Sequence, residues 1–466
     1  MGKNRRVEVR RFELPWHAPV GRLVNPELGL ASVSQRGGEY APYTIDVTVL
    51  DAPDHRLVRA GIWLAHRVLE GRGEWYLAAD GWEPWLPTER IEQLGEGDLP
   101  DELADLVRPF RRGAALGPTA ALTCRREEYA LRDAEKRLVA VLRNEAVQVR
   151  SGGVTTARYR QLTLTGVGHR LTSGQAAWLT ESLNAAGGTQ VAGFPPLAQR
   201  LGAPATGLSD LPEGRDPDPE DTLERFVGGL LAARLRRITR ADLAVRGGHR
   251  RGARELAGEL LRMRTELQGM VPLLDPQWSG DLAAELDWAA QAVRGATADT
   301  VPAELSGERY LRLLDRLVSA SRAPALGDAG AEPAGTALTG LLRQRVRDLR
   351  RVMAGLSAEE GADGDWLAAL RAAEGVRDCC GVQAEETKPV RALRRRATRL
   401  VAALDECLEA HDERQQLRLD DLTSEQAFAA GRAYERVAAA EQDARADLLD
   451  DWPRIERRLR RAAKEL

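Results

Sequence analysis

The sequence predicts an α+β protein: a curved antiparallel sheet or barrel, followed by an all-α helical bundle in two pseudo-repeated halves. Three observations carry this. Residues 1–204 hold short segments that alternate apolar and polar side chains and are rich in β-branched and aromatic residues. Residues 205–220 fall in "GAPATGLSDLPEGRDPDPEDT", whose Pro, Gly and Asp read as a linker. Residues 221–466 have almost no strand signal, and their Leu, Val and Ala recur at three- and four-residue spacing.

Strand-like alternation occurs at 5–14, 43–50, 61–68, 74–79, 119–132, 137–149 and 157–166, separated by "DAPDH", "EGRGE" and "SGGV". The first of these is "RRVEVRRFEL". As a strand it sets Arg6, Glu8 and Arg10 on one face and Val7 and Val9 on the other. Helices are expected at 99–112 and 172–188, the second starting at Thr172 or Ser173 and ending at Gly187-Gly188. Beyond the linker, helical periodicity covers 221–241, 250–271, 279–294, 307–321, 336–356, 364–380, 387–412 and 423–466. "GDAGAEPAGTA" divides this region near its middle, which suggests an internal duplication.

Composition narrows the function classes. A formal net charge of −3 gives no whole-chain case for nucleic acid or an anionic membrane. No apolar run approaches the roughly 20 residues of a membrane-spanning helix. "MGKNRRVEVRR" lacks the apolar core of a secretory signal, so a cytoplasmic protein is expected. Cys124, Cys379, Cys380 and Cys407 have no metal-ligand spacing and read as buried thiols in a reducing compartment. The abundance of Ala, Arg, Leu and Gly matches GC-rich bacterial usage.

Longer segments resemble a known pair of families. "VTVLDAPDHRLVRAGIWLAHR", "GEWYLAADG" and "LPDELADLVRPFRRGAALGPTAALTCRREEYAL" resemble the strands and middle helix of the CYTH domain. "MVPLLDP", "ELDWAAQAVRGATADTV" and "AFAAGRAYERVAAAEQDARADLLDDWPRIERRLRR" resemble the CHAD domain, often fused behind CYTH in bacteria. Together they cover nearly the whole chain. The resemblance implies a triphosphate tunnel, in which inward Arg and Lys hold phosphates and Glu residues hold Mg²⁺ or Mn²⁺ that activates water. It also implies a helical domain that binds polyphosphate along basic faces.

Both motif sets are degenerate here. The opening Glu-x-Glu-x-Lys is matched by Arg6, Glu8 and Arg10; a register shifted by one, aligning Arg11-Phe12, keeps less. In the Leu-Arg-x-Arg strand Ala65 replaces the first arginine and Arg67 remains, while Arg125 and Arg126 keep the basic character of a later strand. Val141 falls at an acidic position, with Glu145 as a displaced carboxylate, and the last strand offers Gln161, Thr163 and Thr165, weak ligands for a hard cation. In the helical domain the two histidine positions fall on Arg254 and Leu367. Basic side chains persist at Arg262 and Arg264, at Arg343, Arg347 and Arg350, and at Arg391, Arg394 and Arg395, the last group sharing a face with Arg399.

The expected anion-binding set is therefore Arg6, Arg10, Arg67, Arg125 and Arg126, with the helical arginines as polyphosphate candidates. Glu8 is the candidate catalytic residue, and Glu8 and Glu145 are the candidate metal ligands. The leading expectation is a pseudoenzyme that binds inorganic polyphosphate, triphosphate or another phosphate-rich anion with weak or no hydrolysis. An active Mg²⁺- or Mn²⁺-dependent inorganic triphosphatase is one alternative. A scaffold for a protein partner or homo-oligomer, using Trp63, Trp82 and Trp85, is the other. No membrane and no specific nucleic acid is expected as a partner.

Overall fold

The computed structural model describes residues 9–79, 81–87, 89–93, 98–167, 171–214, 218–294, 303–357, 363–416 and 424–466. The chain divides into two compact units, Met1–Pro212 and Glu213–Leu466.

The first unit is built on ten strands: β1 (Val9–Leu14), β2 (Ser32–Gln35), β3 (Tyr43–Asp51), β4 (Ile62–Leu69), β5 (Arg72–Ala79), β6 (Glu89–Gln93), β7 (Gly117–Arg132), β8 (Leu138–Ser151), β9 (Val154–Gly166) and β10 (Thr189–Val191). They form one antiparallel sheet in the order β10-β1-β9-β8-β7-β3-β4-β5-β6, with β2 beside β7. The seven strands expected from the alternation are all present. β2, β6 and β10 were not foreseen, because "SVSQ", "ERIEQ" and "TQV" are too short and polar to alternate visibly. Gly152 and Gly153 turn β8 into β9 with φ of 56° and 83°. A two-residue hairpin of this hand needs positive φ at both central positions.

Both sheet faces are covered. On one, Phe12, Leu142, Leu162 and Leu164 pack against Leu179 and Leu183 of a helix at Ser173–Ala185. A reciprocal capping box between Thr172 and Gln175 starts that helix. On the other, Val47, Val49, Leu122, Val147 and Val149 bury Val58 and Ala205. Four shorter helices complete the unit. In chain order the five are α1 (Arg56–Arg59), α2 (Asp101–Leu106), α3 (Arg108–Arg111), α4 (Ser173–Ala185) and α5 (Leu197–Leu201). The single helix expected at 99–112 is broken into α2 and α3, with Pro109 near the start of the second.

The stretch 205–220 is not wholly a linker. Ala205 and Leu211 are buried, and buried Asp210 pairs with Arg112 and, at 3.3 Å, with Arg59. Composition cannot register such long-range pairing.

Asp51 closes the turn into α1. Its buried carboxylate accepts the backbone N–H groups of Ala52, Leu57 and Val58 at 2.6, 3.0 and 2.9 Å. Asp51→Ala strands all three donors, and a loss of about 3 kcal/mol is expected. Urea unfolding followed by tryptophan fluorescence measures it, and an unchanged midpoint would refute this role.

The second unit is helical: α6 (Leu223–Arg246), α7 (Gly252–Met270), α8 (Pro276–Arg294), α9 (Glu308–Arg322), α10 (Ala334–Met353), α11 (Asp363–Gly381), α12 (Lys388–Gln416) and α13 (Ser424–Lys464). α6 packs on α7 and α9, and α7 on α8; α11 packs on α10 and α12, and α13 on α12 and α10. The two groups meet where α7 crosses α11. Among the described residues no helix is long and apolar enough to cross a membrane.

Candidate anion-binding sites

In the sheet, side chains at alternate positions share a face. Cross-strand pairing places Tyr43, Arg126, Glu145, Gln161 and Glu13 in one row. The next row on that face holds Glu128, Arg143, Thr163 and Arg11. Arg67 lies on the same face through its pairing with Val47, and Glu74 stands opposite it.

The charges on this face are mutually paired. Arg126 donates to Glu145 Oε1 and to the Tyr43 hydroxyl, both at 2.7 Å. Burial opposes the Arg126 charge, but Glu145 and Tyr43 outweigh it and hold the guanidinium above its ordinary pKa. Arg67 donates to Glu74 at 2.9 Å and lies 4.0 Å over the Tyr76 ring. Glu128 sits between Arg36 at 2.8 Å and Arg143 at 3.1 Å, and Glu13 pairs with Arg200. An incoming anion must therefore compete with carboxylates already in place.

The expected anion-binding set does not form one site. Arg67 and Arg126 share the charged face. Arg10 and Arg125 point to the opposite one, because residues at odd and even positions of a strand diverge. Arg10 donates to Thr180 Oγ1 of α4 at 3.0 Å, so it ties the helix to the sheet. Arg125 pairs with Glu127 at 2.9 Å beside a shallow cavity of about 460 Å³. Arg6 and Glu8 lie outside the described residues. Sequence reasoning passed over Arg36 and Arg143, offered Glu128 only as an alternative carboxylate for an active hydrolase, and set Arg11 aside in favour of the other register. The register aligning Arg11-Phe12 was the available signal, since it alone places β1 side chains in the rows above.

As for a divalent cation, the donors present do not suit one. Glu145 is committed to Arg126, and among the described residues no group of three or more His, Cys, Asp or Glu is placed to hold a metal. Burial, with Glu145 second, pushes the Cys124 thiol up to about 11; burial likewise raises Cys379 to about 12 and Cys407 to about 11, so none is an activated thiolate at neutral pH. The tryptophans offered as interface anchors are partly committed to packing. Trp82 is fully buried and donates to the Ala60 carbonyl at 2.7 Å, and Trp63 meets Tyr76 edge-on.

The helical unit gathers cations differently. A groove of about 430 Å³ is lined by Arg262 and Thr265 of α7, Arg377 and Asp378 of α11, and Arg394 and Thr398 of α12. Arg262 and Arg394 have side chains 66% and 56% exposed, each with one acidic partner, Glu259 and a distant Glu386 at 3.7 Å. Both can swing toward a ligand at small cost. Arg377 is held more firmly by Asp378 at 2.8 Å. Arg234 lies behind them, locked by Glu259 and Glu266.

Of the remaining helical candidates, Arg264 pairs with Asp287 at 3.0 Å on α8, and Arg350 donates to Glu456 of α13 at 2.7 Å. Arg347 donates to Gln344 at 3.2 Å, while Arg343, Arg391 and Arg395 are exposed. The face expected for Arg391, Arg394, Arg395 and Arg399 is divided by packing. Arg394 lines the groove above, whereas Arg399 lines a second groove against α13. Packing on two sides of α12 separates what one helical wheel grouped.

No protein-family model matches the chain, and no curated protein matches it. Among solved structures, the PH1819 protein from Pyrococcus horikoshii OT3 is similar over 40% of this chain and 91% of its own, at 12% identity with a TM-score of 0.21. At that TM-score the likeness carries no argument about fold or activity.

Proposed function

We propose that the chain binds inorganic polyphosphate or another phosphate-rich anion through its helical unit, with weak or no hydrolysis. It is read as a degenerate CYTH–CHAD protein. The observation that carries this is the convergence of Arg262, Arg377 and Arg394, from three helices, on one groove. Two of the three are more than half exposed, and Thr265 and Thr398 line the same groove. Repeated cations along a groove suit a linear polyanion, whose counterions are released on binding. Support for weak hydrolysis comes from the sheet face, where Glu13, Glu74, Glu128 and Glu145 are each engaged by an arginine.

Calorimetric titration with long-chain polyphosphate and with tripolyphosphate tests the reading. Binding is expected at low salt, weakening with a log–log slope of roughly −2 to −3 for three phosphate contacts. Arg262→Glu with Arg394→Glu is expected to lower affinity at least about tenfold. No detectable binding at low salt would end the proposal. Rapid Mg²⁺-dependent phosphate release from tripolyphosphate would replace it with the hydrolase reading.

A scaffold is the competing reading: on the sheet face that carries Arg67 and Arg126, Val47, Val49, Leu122 and Val149 are buried apolar core rather than a lining for anions. It predicts partner capture that survives the same two charge reversals.

A further inference from the structure

A cavity of about 650 Å³ in the second unit is a groove between α12 and α13 that the proposed function does not use. The two helices are antiparallel there. Arg396 of α12 donates to the Arg458 carbonyl of α13 at 2.9 Å, while Cys407 lies near Glu441 and Arg445. The groove is therefore about 15 Å long between the levels of Arg396 and Glu406.

Its charges are segregated along that length. Arg396, Arg399, Arg454 and Arg458 line one end. Glu406, Asp443 and Asp447 line the other, and among the described residues none of these three acids has an ion-pair partner. Asp451 stands between, 2.9 Å from Arg454. The floor is apolar and partly small, with Leu400, Ala403, Ala444 and Leu448. The cationic end is internally repulsive. Burial, then Arg395 and Arg458, draw the Arg396 guanidinium below its ordinary pKa.

We propose that this groove is a self-association surface, closing a twofold dimer in which the arginine end of one copy covers the acidic end of the other. A uniformly charged ligand would satisfy one end and be repelled at the other. A twofold axis across the middle of the groove reverses its direction, so a surface that is positive at one end and negative at the other complements itself. The lining charges balance, four arginines against four acids. Ala403 and Ala444 let helices of the second copy approach closely, giving a four-helix arrangement around a shared apolar floor.

Sedimentation equilibrium of the full chain, without polyphosphate, tests this apart from the proposed function. A two-chain mass is expected at low salt. It should fall toward one chain at 1 M salt, where the screening length is about 3 Å. Arg399→Glu with Arg454→Glu is expected to weaken self-association at least about tenfold, and Asp443→Arg with Asp447→Arg likewise. All four side chains are exposed, so the helical circular dichroism of each variant should stay unchanged. Mixing the two double variants restores complementarity at both ends and should restore the two-chain mass. The proposal is overturned by a one-chain mass for the wild type at low salt, by a dimer indifferent to both double variants, or by a mixture that stays monomeric.

Discussion

Asp242→Ala is expected to destabilise the helical unit by about 3–5 kcal/mol, the usual cost of removing one partner of a buried ion pair. The Asp242 and Arg246 side chains are 0% and 1% exposed, one helical turn apart on α6. Arg246 Nε donates to Asp242 Oδ1 at 2.7 Å, and its Nη2 donates to the Leu305 carbonyl at 2.8 Å. The Tyr310 hydroxyl of α9 donates to Asp242 Oδ2 at 3.1 Å. Without the carboxylate, a guanidinium and a phenol remain in the interior with their strongest acceptor gone. Burial, with the Asp242 charge second, already holds the Tyr310 phenol well above its ordinary pKa. The cost belongs to the stranded charge rather than to the pair itself, so Asp242→Leu combined with Arg246→Leu should recover most of it. Urea denaturation followed by circular dichroism reads both. If the double variant is no more stable than the single one, the stranded-charge explanation fails.

Gly269→Ala is expected to cost about 1–3 kcal/mol, the range for overpacking a tight contact, and to widen the arginine groove. A Cβ at Gly269 would lie 2.6 Å from the Asp378 carbonyl oxygen and 2.8 Å from its carbon. These are backbone atoms, so α7 and α11 must move apart. Arg262 and Thr265 lie on α7 and Arg377 and Asp378 on α11, so the same displacement separates the two walls of the groove. Weaker polyphosphate binding is therefore expected together with the lost stability. Gly258 on α7 is the control: nothing lies within 4 Å of its Cβ position. There the helix preference for alanine operates alone, and Gly258→Ala should gain up to about 1 kcal/mol. Two variants on one helix are thus predicted to have opposite signs. Equal effects in denaturation and calorimetry would show that helix propensity, not the close crossing, governs both.

Much of the architecture was legible in the letters. Seven strands and the eight long helices follow from hydrophobic period, which is local and needs no knowledge of partners. The short polar strands β2, β6 and β10 were invisible, because their strand character comes from hydrogen bonds to neighbours rather than from their own side chains. Asp210 illustrates the same limit, since it lies in a stretch that composition marks as a linker yet pairs with Arg112, 98 positions away.

By itself, the sequence determined that this protein is an antiparallel sheet followed by helices, with arginines spaced along both. The tertiary structure alone decided which of those arginines share a surface. Strand pairing brought Arg126 to Tyr43 and Glu145, the crossing of α7 and α11 brought Arg262 to Arg377, and helices on two sides of α12 parted Arg394 from Arg399. The physical reason is range: periodicity acts over a few residues, whereas a binding site is made by segments more than a hundred positions apart.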